Sequence, residues 1–283
     1  MPVRLLDKTD SELSVEFLTF SGGERHIQLG KFGEAEHFII RADLRTAQDV
    51  FDLLLLADAL NAEYDAPQLY IEIPYLPYAR QDRVCAPGQA FSLNVFARML
   101  AQIDNVAELV IWDCHSPVGV ELTGAKNTPA QDIIKSNTEL MGLLNGLDAV
   151  IICPDKGAVK RTEAIATSLG VTEPLPVVYC EKLRDPATGH ILRTEVKADD
   201  LSGKTAIITD DICDGGFTFI KIAEILKEKN VEQVILFVTH GILSKGLDVF
   251  DGLIDRVFTT TSFPHEPDTR LTVIPYAYPF QPA

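Results

Sequence analysis

The stretch KTAIITDDICDGGFTFIKIAEIL, residues 204–226, decides the fold class of this chain. Its apolar, β-branched run at 206–209 is typical of a strand that is buried on both faces of a sheet. Two adjacent carboxylates, Asp210 and Asp211, follow at once, and apolar residues recur at helical spacing from Thr218 onward. The order strand, turn, helix predicts one βα unit of a parallel sheet.

The turn of this unit suits a phosphate. It holds a third carboxylate, Asp214, and two glycines, Gly215 and Gly216. Such a turn aims unpaired backbone N–H groups and the positive end of a helix at its ligand. The carboxylates themselves suit the vicinal hydroxyls of a ribose, so the segment favours a ribose phosphate site. These residues alone leave a second interpretation open, an ordinary strand-loop-helix crossover whose acids cap the helix and face solvent.

Composition and charge exclude several classes of function. A formal net charge of −16 argues against nucleic acid as the main partner, because nothing in the chain would neutralise its phosphates in bulk. No apolar run is long enough to cross a membrane, and MPVRLLDKTD lacks the apolar core of a signal peptide. We therefore expect a cytoplasmic protein with no membrane partner. The five dispersed cysteines predict reduced thiols rather than a metal or redox site.

Strands alternate with helices along most of the chain, which predicts an α/β protein built from βαβ units. The first half carries the strand patterns HFIIRA, QLYIEIPYL and ELVIWDCH, and the second half carries AVIICPD, LPVVYCEKL and QVILFVTHGIL. A joint and a helix over 128–145 separate them, so we place two domains at 1–140 and 141–283. In the helix before QLYIEIPYL, an apolar stripe is predicted at Val50, Leu53, Leu54, Ala57 and Leu60.

Polar, reactive side chains follow nearly every predicted strand. They are residues 80–83, Asp113, His115, Asp155, Lys156, Glu181, Lys182, Arg184, Asp210, Asp211, Asp214 and His240. Because ligands bind at the carboxyl ends of strands in open parallel sheets, this pattern predicts an active site shared by both halves. Taken singly, each of these residues also has an explanation other than a role in a site. Asp113 or Asp155 could cap a helix, Lys156 and Lys160 could form a solvated face, and His240 could be a satisfied histidine at a strand end.

Six segments resemble successive signatures of the ribose-phosphate pyrophosphokinase family, in its order and at about its spacing. They are IPYLPYARQDR, DCHSP, CPDKGAVKRTEAIA, EKLR, TDDICDGGFT and THGILSKG. The resemblance implies two type I phosphoribosyltransferase-like domains, each with a mainly parallel sheet flanked by helices. It also implies transfer of the β,γ-diphosphate of Mg-ATP to the anomeric hydroxyl of ribose 5-phosphate, giving phosphoribosyl pyrophosphate and AMP, by a homo-oligomer (a dimer or hexamer).

The same resemblance implies a role for each site residue. Lys182 and Arg184 would be the catalytic pair. ATP would be bound by Phe20, Glu24, Arg80, Gln81 and His115, with Phe20 and Glu24 reaching the nucleotide of a neighbouring subunit. Mg²⁺ would be held by His115 and Asp155. The ribose phosphate would be bound by Asp210, Asp211, Asp214, Gly215, Gly216 and Thr218.

The sequence departs from the family pattern around both substrates. Where the family's phosphate loop typically reads Asp-Thr-x-Gly-Thr, Asp214 is followed here by Gly215, Gly216, Phe217 and Thr218. A hydroxyl for the 5-phosphate is lost, and an aromatic ring stands where a glycine lets the backbone approach. Gly22 replaces an adenine-recognising Asp, and the loop VCAPGQAFS lacks basic residues. We also expect the N-terminus to lack the family's opening strand and helix.

These departures leave three functional hypotheses. The first is a working pyrophosphokinase, whose acceptor is ribose 5-phosphate or a ribose with a further substituted 5-phosphate, such as ADP-ribose. The second is a catalytically silent regulatory homologue, although such proteins tend to lose the cations that are present here as Lys182 and Arg184. The third is a phosphoribosyltransferase, which would not need the RQDR and DCH segments. Release of AMP distinguishes the first hypothesis from the other two.

Overall fold

The computed structural model describes residues 2–33, 35–146, 148–170, 173–184 and 191–281. The chain divides into two compact units, the first made of Met1–Thr128 and Ala277–Ala283, the second of Pro129–Tyr276. The domain boundary predicted near residue 140 falls inside the helix Thr138–Leu144 of the second unit. That helix buries Leu140 and Leu144 against the core of its unit, which explains why the compact units divide before it.

The first unit contains a six-stranded sheet, a separate hairpin and three helices within its described residues. Its elements are β1 (Val3–Leu6), β2 (Glu12–Leu13), β3 (Val15–Thr19), β4 (Arg25–Leu29), β5 (His37–Ala42), α1 (Ala47–Glu63), β6 (Gln68–Ile73), α2 (Ser92–Leu100), β7 (Val106–Trp112), α3 (Pro117–Thr123) and β8 (Lys126–Thr128). The sheet order is β2-β1-β5-β6-β7-β8, and β5 to β8 run parallel.

The opening strand that we expected to be missing is present as β1. It pairs antiparallel with β5, so that Val3 lies opposite Ala42. The expectation of a missing strand is therefore wrong, because a strand as short as VRLL gives little periodic signal and is fixed by its partner β5. No helix precedes α1 in the part of the first unit that the structure describes.

Helix α1 begins at a capping box. The Thr46 hydroxyl accepts a hydrogen bond from the Asp49 N–H at 3.2 Å, and the Thr46 N–H donates to the Asp49 carboxylate at 2.7 Å. The buried face of α1 includes Leu56, whereas Leu54, which we placed in the stripe, is only half-buried. In a run of four leucines the helical periodicity does not distinguish Leu54 from Leu56, and it is the packing of α1 against the sheet that buries Leu56.

The second unit contains a seven-stranded sheet flanked by helices. Its elements are α4 (Ala130–Lys135), α5 (Thr138–Leu144), β9 (Ala149–Cys153), α6 (Val159–Leu169), β10 (Val177–Arg184), β11 (Ile191–Val196), β12 (Thr205–Cys213), α7 (Phe217–Glu228), β13 (Gln233–Gly241), a 3-10 turn (Asp248–Phe250), β14 (Arg256–Thr260) and β15 (Leu271–Ile274). The strand order is β11-β10-β9-β12-β13-β14-β15, and β10–β11 is its antiparallel pair. The predicted α/β class with mainly parallel sheets is confirmed.

The C-terminal segment of the first unit packs on the sheet of that unit through the buried carboxylate of Glu72. This carboxylate accepts hydrogen bonds from Trp112 Nε1 at 2.9 Å and from the Tyr278 N–H at 2.6 Å, and it pairs with Arg41 at 2.8 Å. Burial raises the pKa of Glu72, and its three partners act in the opposite direction. Across the described ranges, no helix combines the length and the apolarity that crossing a membrane would require.

Candidate active site

The acidic pair of the second unit lies on β12, near the middle of the sheet. The strand runs on to Cys213, so Asp210 and Asp211 lie within it, whereas we expected them to follow a strand that ends at Thr209. The difference arises because pairing with β13 continues, with Asp210 opposite Val238 and Ile212 opposite His240. Both carboxylates therefore have fixed backbone positions at the carboxyl end of a central strand.

Arg161 of α6 connects the two carboxylates. Its Nη1 atom lies 3.5 Å from Oδ1 of Asp210 and 3.5 Å from Oδ1 of Asp211, and all three side chains are largely buried. Burial raises the pKa of Asp210 well above its ordinary value, and the neighbouring charge of Asp211 raises it further, whereas Arg161 lowers it. A cation is therefore built into the acidic site, which reduces the repulsion between two adjacent carboxylates.

The glycine turn between β12 and α7 is tightly constrained. Gly216 has φ +78°, in the left-handed region, and a Cβ atom there would lie 2.8 Å from the Phe250 ring. Gly216 precedes the first residue of α7, and no side chain caps this end of the helix. The first turn of α7, including Thr218, therefore presents N–H groups and the positive end of the helix dipole toward the turn.

Asp155 lies at the same edge of the sheet as the acidic pair. It follows β9, the parallel neighbour of β12, and its Oδ1 atom accepts hydrogen bonds from the N–H groups of Gly157 at 2.9 Å and Ala158 at 3.3 Å. The strands that follow β9 and β12 extend the sheet in opposite directions, so this edge is a topological switch point. Ligands of open α/β sheets bind at such points.

The donor chemistry of Asp155 fits Mg²⁺, which prefers oxygen ligands and keeps several waters or phosphate oxygens. Within the described ranges, no group of three or more His, Cys, Asp or Glu side chains is arranged to hold a metal ion. Because Mg²⁺ keeps several waters or phosphate oxygens, a single protein carboxylate such as Asp155 suffices for it. His115 belongs to the first unit and Asp155 to the second, so their joint role stays a prediction.

Lys182 and Arg184 lie on β10. The predicted strand LPVVYCEKL already included Lys182, and the observed strand extends to Arg184. Pairing of β10 with β9 ends at Tyr179, and β10 continues as an antiparallel pair with β11, with Lys182 opposite Thr194. The strand reaches Arg184 because β11 supplies a partner that the β10 pattern alone does not reveal. The side chains of both residues lie outside the described residues, so their catalytic role stays a prediction.

In the first unit, the loops that follow β6 and β7 are joined by a hydrogen bond. The Ser116 hydroxyl donates to Oδ2 of Asp82 at 2.7 Å and also accepts from the Val118 N–H, so that it caps α3. This bond brings the Arg80–Gln81 segment and the loop of His115 to one edge of the sheet. Arg80, Gln81 and His115 are exposed there, as a nucleotide site requires.

Phe20 and Glu24 lie elsewhere in the first unit, at the tip of the β3–β4 hairpin. The Phe20 N–H donates to the Glu24 carbonyl oxygen at 2.9 Å, and the Phe20 side chain is 57% exposed. Arg25 anchors the hairpin to α1 through a bidentate pair with Asp52, with contacts at 2.8 and 2.5 Å. The structure therefore holds these two residues on an element different from that of Arg80 and His115.

The structure of His240 agrees with the alternative that the sequence left open, a satisfied histidine at a strand end. It is 2% exposed, and its Nδ1 atom lies 3.0 Å from the Ser262 hydroxyl, which in turn donates to the Thr239 carbonyl oxygen at 3.2 Å. Lys156 and Lys160 are exposed, as a solvated face requires.

Arg161 was not among the site residues predicted from the sequence. The sequence does contain a signal, since Arg161 lies three residues after Ala158 and four before Ile165, and both of these are apolar. Positions three and four apart share a helix face, so a cation in this row points toward the sheet rather than toward solvent.

Comparison with known proteins gives consistent matches over both units. The model of the N-terminal domain of ribose phosphate pyrophosphokinase matches residues 8–103, and the phosphoribosyl transferase domain model matches 128–268. Proteins named ribose-phosphate pyrophosphokinase from Pyrococcus furiosus and Thermococcus kodakarensis are 32% and 30% identical, each over 93% of this chain and 90% of its own. The crystal structure of phosphoribosylpyrophosphate synthetase from Mycobacterium smegmatis matches with a TM-score of 0.74 and 24% identity, covering 92% of this chain and 85% of that one.

Proposed function

The chain belongs to the ribose-phosphate pyrophosphokinase family, and from this premise we propose that it transfers the β,γ-diphosphate of Mg-ATP to the anomeric hydroxyl of a ribosyl 5-phosphate, of which ribose 5-phosphate is the simplest. The products are a ribosyl 1-diphosphate, which is phosphoribosyl pyrophosphate for the simplest acceptor, and AMP. The family assignment makes the chain a diphosphotransferase.

One observation carries the choice of acceptor site: two carboxylates and an uncapped helix N-terminus adjoin at the end of β12. Asp210 and Asp211 can accept hydrogen bonds from vicinal ribose hydroxyls, and the turn from Asp214 to Gly216 leads into the N–H groups of α7. Helix N-termini of this kind bind phosphate. A ribose bound between them would have its anomeric carbon directed away from the turn.

The reaction requires positioning and charge neutralisation more than covalent participation by the protein. The anomeric oxygen attacks the β-phosphorus and forms the new O–P bond. The bond from the β-phosphorus to the α,β-bridging oxygen breaks, AMP leaves with that oxygen, and the hydroxyl proton passes to solvent. Mg²⁺ on the triphosphate would neutralise charge there, with Asp155 and His115 as its protein ligands.

Three further predicted roles complete the proposal. Lys182 and Arg184 would stabilise the charge on the transferred diphosphate, and Arg80 and Gln81 would hold ATP. Asp210 and Asp211 would hold the acceptor in line, since correct placement of the two substrates supplies much of the rate enhancement of such reactions.

The test is an assay of AMP released from Mg-ATP with ribose 5-phosphate and with ADP-ribose as separate acceptors. We expect Lys182→Ala to lower kcat by at least about a hundredfold, as loss of a transition-state charge contact does. Lys197→Ala is the matched control, since Lys197 is an exposed lysine beside β11 that pairs with Glu181 and Glu195. If the native chain never releases AMP with a panel of ribosyl phosphates, the proposed function is wrong.

The proposed homo-oligomer has a separate test. Phe20 and Glu24 lie at an exposed hairpin tip, and their proposed role requires a neighbouring subunit's nucleotide. We expect light scattering after gel filtration to give a dimer or a hexamer. A monomer at the protein concentrations of the AMP assay, with full activity, would remove Phe20 and Glu24 from the ATP site.

A further inference from the structure

Phe217 is an exposed aromatic residue placed directly beside the glycine turn. It is the first residue of α7, and 73% of its surface is exposed. Its ring folds back over the turn, since a Cβ atom built on Gly215 would lie 3.2 Å from the Cε2 atom of Phe217. Packing does not explain the ring, because Phe219, two residues later, supplies the buried aromatic of this helix.

A cation lies beside the same turn. The Leu243 N–H donates to the Cys213 carbonyl oxygen at 3.0 Å, and the Ser244 N–H donates to the Asp214 carbonyl oxygen at 3.2 Å. These bonds hold the loop after β13 alongside the glycine turn, and the Cγ atom of Lys245 lies 3.8 Å from the Cβ position of Gly215. Lys245 is exposed, so its ammonium group is accessible to a ligand in the turn.

An aromatic face, a cation and a phosphate turn in one place match a ligand with three corresponding parts. A phosphate monoester such as ribose 5-phosphate ends at its phosphate and gains nothing from the ring of Phe217. A ribose whose 5-phosphate is joined to a nucleoside phosphate carries a second phosphate and a planar base beyond it. Bases stack on exposed aromatic side chains, and lysine binds phosphate as a point charge.

We propose that Phe217 and Lys245 form an acceptor subsite for ribosyl compounds whose 5-phosphate carries a nucleoside phosphate, with ADP-ribose as the representative. This inference rests on the proposed function and narrows its acceptor. The phosphate next to the ribose lies in the glycine turn, the second phosphate lies at Lys245, and the base stacks on Phe217. The anomeric hydroxyl of the same ribose then takes the diphosphate from ATP by the bond changes given above, so the products are the 1-diphosphate of ADP-ribose and AMP.

The experiment compares kcat/KM for ADP-ribose and for ribose 5-phosphate in the native chain and in two variants, with AMP release as the signal. We expect the native chain to favour ADP-ribose. Phe217→Leu should lower the ratio of kcat/KM for ADP-ribose to kcat/KM for ribose 5-phosphate by about 5- to 150-fold, which is the expected effect of losing one stacked base. Lys245→Gln should lower the same ratio. Phe51→Leu, at an exposed phenylalanine of α1, is the matched control and should leave the ratio unchanged.

Calorimetric titration of ADP-ribose without ATP separates failure of this inference from failure of the proposed function. If AMP is released but ribose 5-phosphate is preferred, or if Phe217→Leu leaves the ratio unchanged, the subsite is wrong and the transferase stands. If no acceptor releases AMP while ADP-ribose still binds in a Phe217-dependent manner, the transferase is wrong and the subsite stands. If neither AMP release nor binding of ADP-ribose is detected, both the proposed function and the subsite are wrong.

Discussion

The guanidinium of Arg161 lies 3.5 Å from the carboxylate of Asp211, and this contact joins a helix to a strand distant in sequence. The same Nη1 atom is equally close to Asp210, so one cation serves two carboxylates. An exposed ion pair contributes little to stability, but here all three groups are largely shielded from water. Arg161 is therefore central to both the stability and the charge of the proposed acceptor site.

Replacement of Arg161 by Met should destabilise the protein in a pH-dependent manner. Without the cation, the pKa of Asp210, already raised by burial and by Asp211, rises further. Because a raised carboxyl pKa favours the folded state only while the group is protonated, the loss of stability grows as the pH rises through the folded pKa. The loss of stability disappears at pH values below about 3.9, the pKa of the carboxyl group in the unfolded chain. At pH 7 we expect a loss of about 3 kcal/mol, typical of a broken buried ion pair.

Urea denaturation at several pH values measures this effect, and two further variants control it. Arg161→Lys keeps the charge and should lose less stability. Adding Asp210→Asn to Arg161→Met removes one of the two carboxylates and should restore part of the loss at pH 7. An equal loss at every pH would assign the effect of Arg161 to packing and would contradict the electrostatic explanation.

Gly216→Ala should destabilise the chain more than a glycine substitution at an open turn does. Both the left-handed φ and the contact with Phe250 oppose a Cβ atom at Gly216. Gly203 has φ +72° with no atom within 4 Å of its Cβ position, so Gly203→Ala carries the conformational cost alone. We expect about 1 kcal/mol for Gly203→Ala and at least about 1 kcal/mol more for Gly216→Ala, as overpacking adds to strain. Equal losses in thermal denaturation would remove Phe250 from the explanation.

Cys85 and Cys213 should react very differently with iodoacetamide. Burial, with Asp210 and Asp214 nearby, raises the pKa of the Cys213 thiol to about 12, whereas Cys85 lies exposed in the loop before α2. Because the thiolate is the reactive form, Cys213 should stay unmodified at pH 8 while Cys85 is labelled. Peptide mass spectrometry measures both sites, and Cys85→Ser, which removes the expected label, is the control. Labelling of Cys213 in the folded chain would contradict its burial.

Glu72→Leu should be among the more damaging substitutions in the first unit. It would leave the indole N–H of Trp112 and the N–H of Tyr278 without their acceptor, and Arg41 without its buried partner. We expect a loss of about 3–5 kcal/mol. Glu72→Gln keeps an acceptor and should lose less, because the ionised carboxylate itself carries a burial cost that increases as the pH rises through its raised pKa. Trp112 is the only tryptophan, so its fluorescence during urea denaturation reports directly on this network.

The sequence correctly predicted those helices and strands whose apolar pattern lies within their own residues. The strand predicted at HFIIRA is β5, with the bounds that the structure gives, and the helix predicted before QLYIEIPYL is α1. These segments succeed because β-branched runs and helical apolar spacing act over a few residues. The strand-turn-helix order of 204–226 was also predicted, since the glycines mark the turn.

The features that sequence reasoning missed depend on partners far away in the chain. The extension of β12 through Asp210 and Asp211 requires the ladder with β13, and that of β10 to Arg184 requires β11. The role of Arg161 required both the helix face of α6 and the position of β12. Phe217 could be recognised from the sequence as a departure, but only the structure shows that its ring is exposed beside the turn.

The docking of Tyr278 against Glu72 has a consequence for protein synthesis. A chain emerges from the ribosome N-terminus first, and domains usually fold in that order. Here Phe280, which is translated after the second unit, covers Leu6, Ile39 and Tyr70 of the first unit. This patch of the first unit therefore stays uncovered until the second unit has been synthesised.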